Sequence, residues 1–231
     1  MKYSIIIPTY NQKDLLKKCI ESVISNTDLN RDIEIIIICN GCKDGSLELV
    51  KDYSNKFNSI KYVYWPVPLG FAKAVNAGFA VSTGEYVILL NNDSYLLANA
   101  WLDILELPFK LNNNTGITSP MVQKFTEKLF CAVFFCAMIK REVIKKIGYL
   151  DDIFEVGHAE DGDYSFRAIN AGFKLYQVPY NTDCKITNES LSIISGTFPI
   201  IHDSFRTRGS ITGIEEIIKT NTEILHKRYK L

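Results

Sequence analysis

The chain of 231 residues has no surplus of charge of either sign, since 26 basic residues balance 26 acidic ones. That balance excludes the broad basic surface by which proteins hold nucleic acid, so an anionic ligand must be bound locally. Long apolar runs are missing too. Nothing approaches the roughly 18 apolar residues of a membrane span, and the short run in "MKYSIIIPTY" meets Pro8 too early for a secretory signal. The expectation is a cytoplasmic protein, in which the glycosylation triplets at Asn113 and Asn188 are chance matches. Of the six cysteines, only Cys39 and Cys42 form a close pair. Cys131 and Cys136 lie inside an apolar run and Cys184 stands alone, so no second pair completes a zinc site. Internal repeats and low-complexity tracts are also absent.

What is present is alternation. "YSIIIP" and "IEIIIIC" are continuous β-branched runs, the pattern of strands covered on both faces of a parallel sheet. Between them, "NQKDLLKKCIESVISN" places Leu15, Leu16, Cys19, Ile20, Val23 and Ile24 at helical spacing, with Asn11 positioned to cap the start. The pattern repeats in the strand "IKYVYW", the small-residue helix "GFAKAVNAGFAVSTG" closed by Gly84, and the strand "EYVILL". Further on come a helix "IKREVIKKIG" ended by Gly148, a helix "AEDGDYSFRAINAGF" ended by Gly172, and a strand "FKLYQVP". Residues 180–213 give no clear element, and "GIEEIIKTNTEILHKRY" is a final amphipathic helix. The fold class is therefore α/β, a Rossmann-like, mostly parallel central sheet flanked by helices.

In such sheets ligands bind beyond the carboxyl ends of the strands, which directs attention to Pro8–Asn11, Cys39–Ser46 and Asn91–Asp93. Asn91, Asn92 and Asp93 end a core strand abruptly. An Asp there is a turn former by default, but at this edge it can also hold a hard cation that bridges to phosphates. Glu160, Asp161 and Asp163 gather at a helix start, three carboxylates where a cap needs one. Asp161 is a plausible general base, its proton affinity raised by neighbouring negative charge and lowered by the helix N-terminus.

Five ordered stretches, "SIIIPTYNQKDLLKKCIESV", "CNGCKDGS", "PLGFAKAVNAGF", "GEYVILLNNDSYLLANAWL" and "AEDGDYSFRAINAGF", resemble the family 2 glycosyltransferases with the GT-A fold, over roughly residues 1–180. The resemblance implies a single domain, with residues 1–100 as a nucleotide-sugar-binding half, 101–213 as an acceptor-binding half and 214–231 as a C-terminal amphipathic helix. It implies that Pro8, Thr9, Tyr10 and Asn11 line the nucleotide pocket together with Cys39, Asn40 and Asp44. Gly70, Lys73, Asn76 and Asn92 would face the donor. Asp93 resembles the metal-binding carboxylate and Asn91 a weakened partner. Asp161, beside Glu160, resembles the catalytic base of inverting members.

The implied reaction moves a hexosyl or deoxyhexosyl group, with inversion, from a nucleoside-diphosphate sugar to a hydroxyl of a glycan or glycolipid, assisted by Mn²⁺ or Mg²⁺. Three departures count against it. Cys39 stands where many members carry a carboxylate that contacts the base, Asn91 replaces a carboxylate, and Lys185 falls where a His ligand is expected, leaving His202 as a candidate third ligand. They favour the alternative of a degenerate domain that binds nucleotide sugar or glycan without turnover. A sugar nucleotidyltransferase is less favoured, because "PTYNQKD" lacks a glycine-rich phosphate loop. Residues 110–136 and 184–213 are expected to shape the acceptor pocket. The last helix is expected to dock on the core, its sharper alternative being peripheral contact with an anionic membrane.

Overall fold

The structure, a computed structural model, describes residues 1–154, 156–179, 198–203 and 213–231. Its first strands, β1 (Tyr3–Thr9) and β2 (Ile33–Asn40), are buried along their whole length, as their unbroken β-branched runs require. They lie parallel to each other and to β3 (Ile60–Trp65) and β4 (Tyr86–Leu90). With β6 (Thr115–Ser119), β9 (Cys136–Lys140) and β10 (Lys174–Gln177) they form a seven-stranded sheet in the order β10-β6-β9-β4-β1-β2-β3. Only β9 runs against the rest. Among the described residues there are also two short antiparallel pairs, β5 (Ser94–Leu96) with β11 (Ile200–His202) and β7 (Val122–Lys124) with β8 (Phe130–Ala132).

The alternation of side chains along β1 divides the interior into two layers. Tyr3, Ile5 and Ile7 meet helices α1 (Lys13–Ser25), α2 (Ser46–Lys56) and α4 (Trp101–Leu111) through Leu16, Ile20, Val50, Trp101 and Leu105. Ile6 points the other way, into a layer formed with α3 (Phe71–Val81), α5 (Arg141–Ile147) and α6 (Glu160–Asn170). The small residues of α3 let it lie close: a Cβ on Gly78 would stand 2.5 Å from Ile6 Cγ2. The last helix, α7 (Ile214–Tyr229), joins a smaller apolar cluster of Cys131, Phe154, Ala159 and Phe166 through Leu225. Among the described residues no helix is long and apolar enough to cross a membrane.

Several local expectations need correction. Asn11 does not cap α1. Gln12 occupies that position, and the Lys13 N–H is taken instead by Asp44 Oδ2 at 2.8 Å, from the loop after β2. Gly84 does not close α3, whose cap is Ser82; a Cβ on Gly84 would stand 2.6 Å from Ser4 N, so close approach to β1 is what demands glycine there. Ile139 and Lys140 belong to β9, not to a helix. Gly148 and Gly172 do sit at helix ends with positive φ, 78° and 92°. Lys185 and Cys184 lie outside the described residues.

Candidate active site

The strand ends at the carboxyl edge of the sheet are tied into one knot. Thr9 Oγ1 donates to Asn11 O and accepts from Asn92 Nδ2 at 2.9 Å, so β1 and β4 are joined just beyond their last residues. Asn11 Oδ1 accepts the Lys43 N–H at 2.8 Å, and Cys42 Sγ accepts the Asn11 N–H. Asn40 spends its amide on the loop ahead of α3, accepting from Leu69 N–H at 2.7 Å and donating to Gly70 O. Asp44 is equally committed: its second oxygen takes the N–H and the hydroxyl of Ser46. Cys39 is wholly buried in the core beneath this knot, while Pro8 is buried at the end of β1 and Tyr10 is half-exposed beyond it. The Cys39 thiol donates to the Cys42 sulfur, which pulls Cys42 down to about 7 against the effect of its burial.

Asn76 and Lys73 of α3 turn toward the loop before α6. Asn76 makes two hydrogen bonds with the backbone of Leu150, and Lys73 Nζ lies 4.0 Å from Asp152. Gly70 (φ 84°) backs onto Val156, since a Cβ there would stand 3.0 Å from Val156 N.

Beyond β4 the chain assembles a second group. Asn92 and Asp93 are buried, and Asn91 is held by its N–H to Phe135 O. The β11–β5 pairing sets His202 opposite Ser94, which brings His202 Nε2 to 3.3 Å from Asp93 Oδ1. The imidazole stacks on Phe135 with ring centroids 4.6 Å apart.

At the start of α6 the three carboxylates divide. Asp163 is fully buried and bonded to Arg167 (2.8 Å), Arg228 (2.6 Å) and the Tyr229 hydroxyl (2.8 Å), a set that docks α7 on α6. Glu160 is buried and Asp161 half-buried. Burial raises the pKa of Asp161, opposed by the Gly162 N–H at 2.8 Å, the Cys131 thiol and the Phe134 N–H. Phe134 thus touches Asp161 while its neighbour Phe135 carries Asn91 and His202. These two consecutive residues make the base candidate and the Asn91–Asp93–His202 group neighbours. The sequence shows them only as part of an apolar run, and nothing in their type signals the role.

Among the described residues no three His, Cys, Asp or Glu side chains gather as a metal site. The donor chemistry nevertheless fits a hard divalent cation that keeps positions for phosphate. Asn91 Oδ1 and Asp93 Oδ1 are buried and without a hydrogen-bond partner among the described residues, and the His202 imidazole stands beside one of them. A carboxylate, an amide oxygen and an imidazole are acceptable ligands to Mn²⁺, and buried acceptors lacking donors are what a cation satisfies.

The family described as Glycosyl transferase family 2 matches residues 4–126. A poly(ribitol-phosphate) beta-glucosyltransferase of Bacillus spizizenii is 32% identical over 119 residues, which are 51% of this chain and 18% of that protein. Glycosyltransferase GlyA of Streptococcus pneumoniae is 28% identical over 178 residues, 76% of this chain and 24% of that one. The chain thus spans a quarter or less of the length of these relatives. Among solved structures, the mannosyltransferase PcManGT from Pyrobaculum calidifontis, in complex with GDP-Man and Mn²⁺, aligns with a TM-score of 0.65 at 19% identity. The alignment covers 76% of this chain and 54% of that one, and it shows a shared fold.

Proposed function

The chain belongs to glycosyl transferase family 2, and from that premise we propose that it transfers a sugar, with inversion, from a nucleoside-diphosphate sugar to a hydroxyl of a glycan or glycoconjugate. The observation that carries this reading is the adjacency of Asp161 to the Asn91–Asp93–His202 group through Phe134 and Phe135. One group suits a proton acceptor and the other an anionic leaving group, and a displacement at an anomeric carbon needs both.

In the step, the acceptor oxygen forms a bond to the anomeric carbon as the bond from that carbon to the diphosphate oxygen breaks. The hydroxyl proton passes to the Asp161 carboxylate, and the bonding pair leaves with the diphosphate. Glu160, adjacent in sequence, is buried beside the base. Asp93, His202 and the Asn91 amide oxygen would hold a divalent cation, which supplies charge neutralisation for the leaving diphosphate when bound. Thr9, Asn11, Asn40 and Asp44 act by fixing the loops that border the nucleotide, since their polar atoms are engaged with backbone.

The test is Asp161→Asn, assayed by release of nucleoside diphosphate from UDP-glucose, UDP-N-acetylglucosamine and GDP-mannose. Turnover should fall by at least about 10²-fold, the usual contribution of a general base, with nucleotide affinity nearly unchanged. Near-normal turnover in that variant removes Asp161 from the role.

A further inference from the structure

The segment that delivers Asp161 is wound in a conformation its sequence resists. Val156, Gly157, His158 and Ala159 have φ values of 65°, 127°, 85° and 75°, four successive residues on the side of φ that L residues avoid. Val156 is β-branched, the type for which this is rarest. Such a run persists only where its surroundings over-determine it.

The surroundings act from two sides. On one, Gly70 backs onto Val156, and a Cβ on Gly157 would stand 3.3 Å from Phe71 Cβ, so the loop and the start of α3 are in contact. On the other, α7 lies against it. Asn221, only 3% exposed, donates its Nδ2 to Gly157 O at 3.2 Å and to His158 O at 3.1 Å. Thr222 Oγ1, one residue on, lies 3.1 Å from His158 Nε2. Attachment of α7 does not need Asn221, because Leu225, Arg228 and Tyr229 already fix it to α6 through apolar contact and Asp163. A buried amide placed on two carbonyls of a strained loop is an expensive way to dock a helix, but a direct way to hold the loop.

We propose that Asn221 is a positioning residue for sugar transfer: its amide ties the Gly157 and His158 carbonyls and so sets where the next helix turn presents Asp161. The inference rests on Asp161 being the base. A displacement of about 1 Å at a reacting group can cost 10²-fold in rate, so loss of the tie should act on kcat.

The experiment compares the full chain with Asn221→Asp, which keeps the shape but sets an oxygen against the two carbonyls, and with Tyr229→Phe, which loosens docking of α7 by removing only a hydroxyl bonded to Asp163. If Asn221→Asp does not fold, Asn221→Ser takes its place. Expected for the Asn221 variant is a kcat at least about tenfold lower in nucleoside diphosphate release, with donor KM within about twofold. Amide exchange should be faster across residues 156–163, and Tyr229→Phe should show neither change at temperatures below its own melting. Equal kcat losses in the two variants, or unchanged kcat in Asn221→Asp, overturn the proposal in favour of plain helix docking. Should wild type turn over none of UDP-glucose, UDP-N-acetylglucosamine and GDP-mannose, the reading of Asp161 fails by itself. Amide exchange then decides about the loop: faster exchange keeps Asn221 as its clamp, and unchanged exchange removes it.

Discussion

Asp161 and Asp163 lie two positions apart on one helix turn and do opposite work. Asp163 is fully buried among Arg167, Arg228 and Tyr229, so Asp163→Ala leaves Arg167 without its carboxylate and Arg228 with Asp151 alone, and should cost about 3 kcal/mol in thermal unfolding. Asp161 is under the reverse pressure. Burial raises its pKa, so the folded state binds its proton more tightly than the unfolded chain, and stability is lost as pH rises through the folded value. Asp161→Asn should therefore raise the melting temperature at pH 7 while lowering turnover by at least about 10²-fold. A base acts only when deprotonated, so the acidic limb of kcat/KM should lie above the pH of an ordinary aspartate, and a limb near pH 3.8 contradicts the raised value. Asp93 and Asp161 were both legible in the sequence, the first as a carboxylate ending a core strand, the second as part of an acidic excess at a helix start. That Asp163 is the structural member was not legible, because its partner Arg228 lies 65 residues away. Phe134 and Phe135 were invisible for a different reason: their contacts with the proposed site are made by backbone groups and a ring face, which any apolar run offers.

The elements that could be read were those whose burial is uniform. β1, β2 and β4 are covered on both faces, so their apolar runs are unbroken. The antiparallel strand β9 has as much burial, yet "CAMIK" is short and runs directly into α5, so its end and the helix start share residues of one character. α4 carries Pro108 in its interior, a residue that ordinarily ends a helix. The start of α1 depends on a carboxylate from another loop, which no local pattern contains. β2 also holds a polar anchor at its amino end. Glu34 is fully buried, and although burial raises its pKa, Lys61, the Thr83 N–H and the Thr83 and Ser4 hydroxyls bring it down to about 2. A carboxylate with a lowered folded pKa gives stability that is whole above its unfolded value of 4.5 and lost as pH falls toward 2. Glu34→Gln should thus be less stable than wild type by about 1–3 kcal/mol at pH 7, because buried donors lose their charged acceptor. The gap should narrow in denaturant titrations between pH 4.5 and pH 2, and a gap constant over that range contradicts the assignment.

At the scale of the whole molecule, the sheet brings the ends of β1, β2 and β4 to one edge, and α6 and β11 bring Asp161 and His202 against the consecutive residues Phe134 and Phe135. The family match covers residues 4–126, so Asp161 and His202 lie beyond it and rest on the geometry alone. The most direct measurement is thermal unfolding of the full chain against UDP-glucose, UDP-N-acetylglucosamine, GDP-mannose and dTDP-rhamnose, each with Mn²⁺ and with chelator. A ligand at about 100 times its dissociation constant adds roughly 2.7 kcal/mol of stability, a readily detected shift. Expected is stabilisation by one nucleotide class that is larger with Mn²⁺ and loses its metal dependence in Asp93→Ala. No shift with any of the four, with or without metal, contradicts a nucleotide-sugar site at this edge of the sheet.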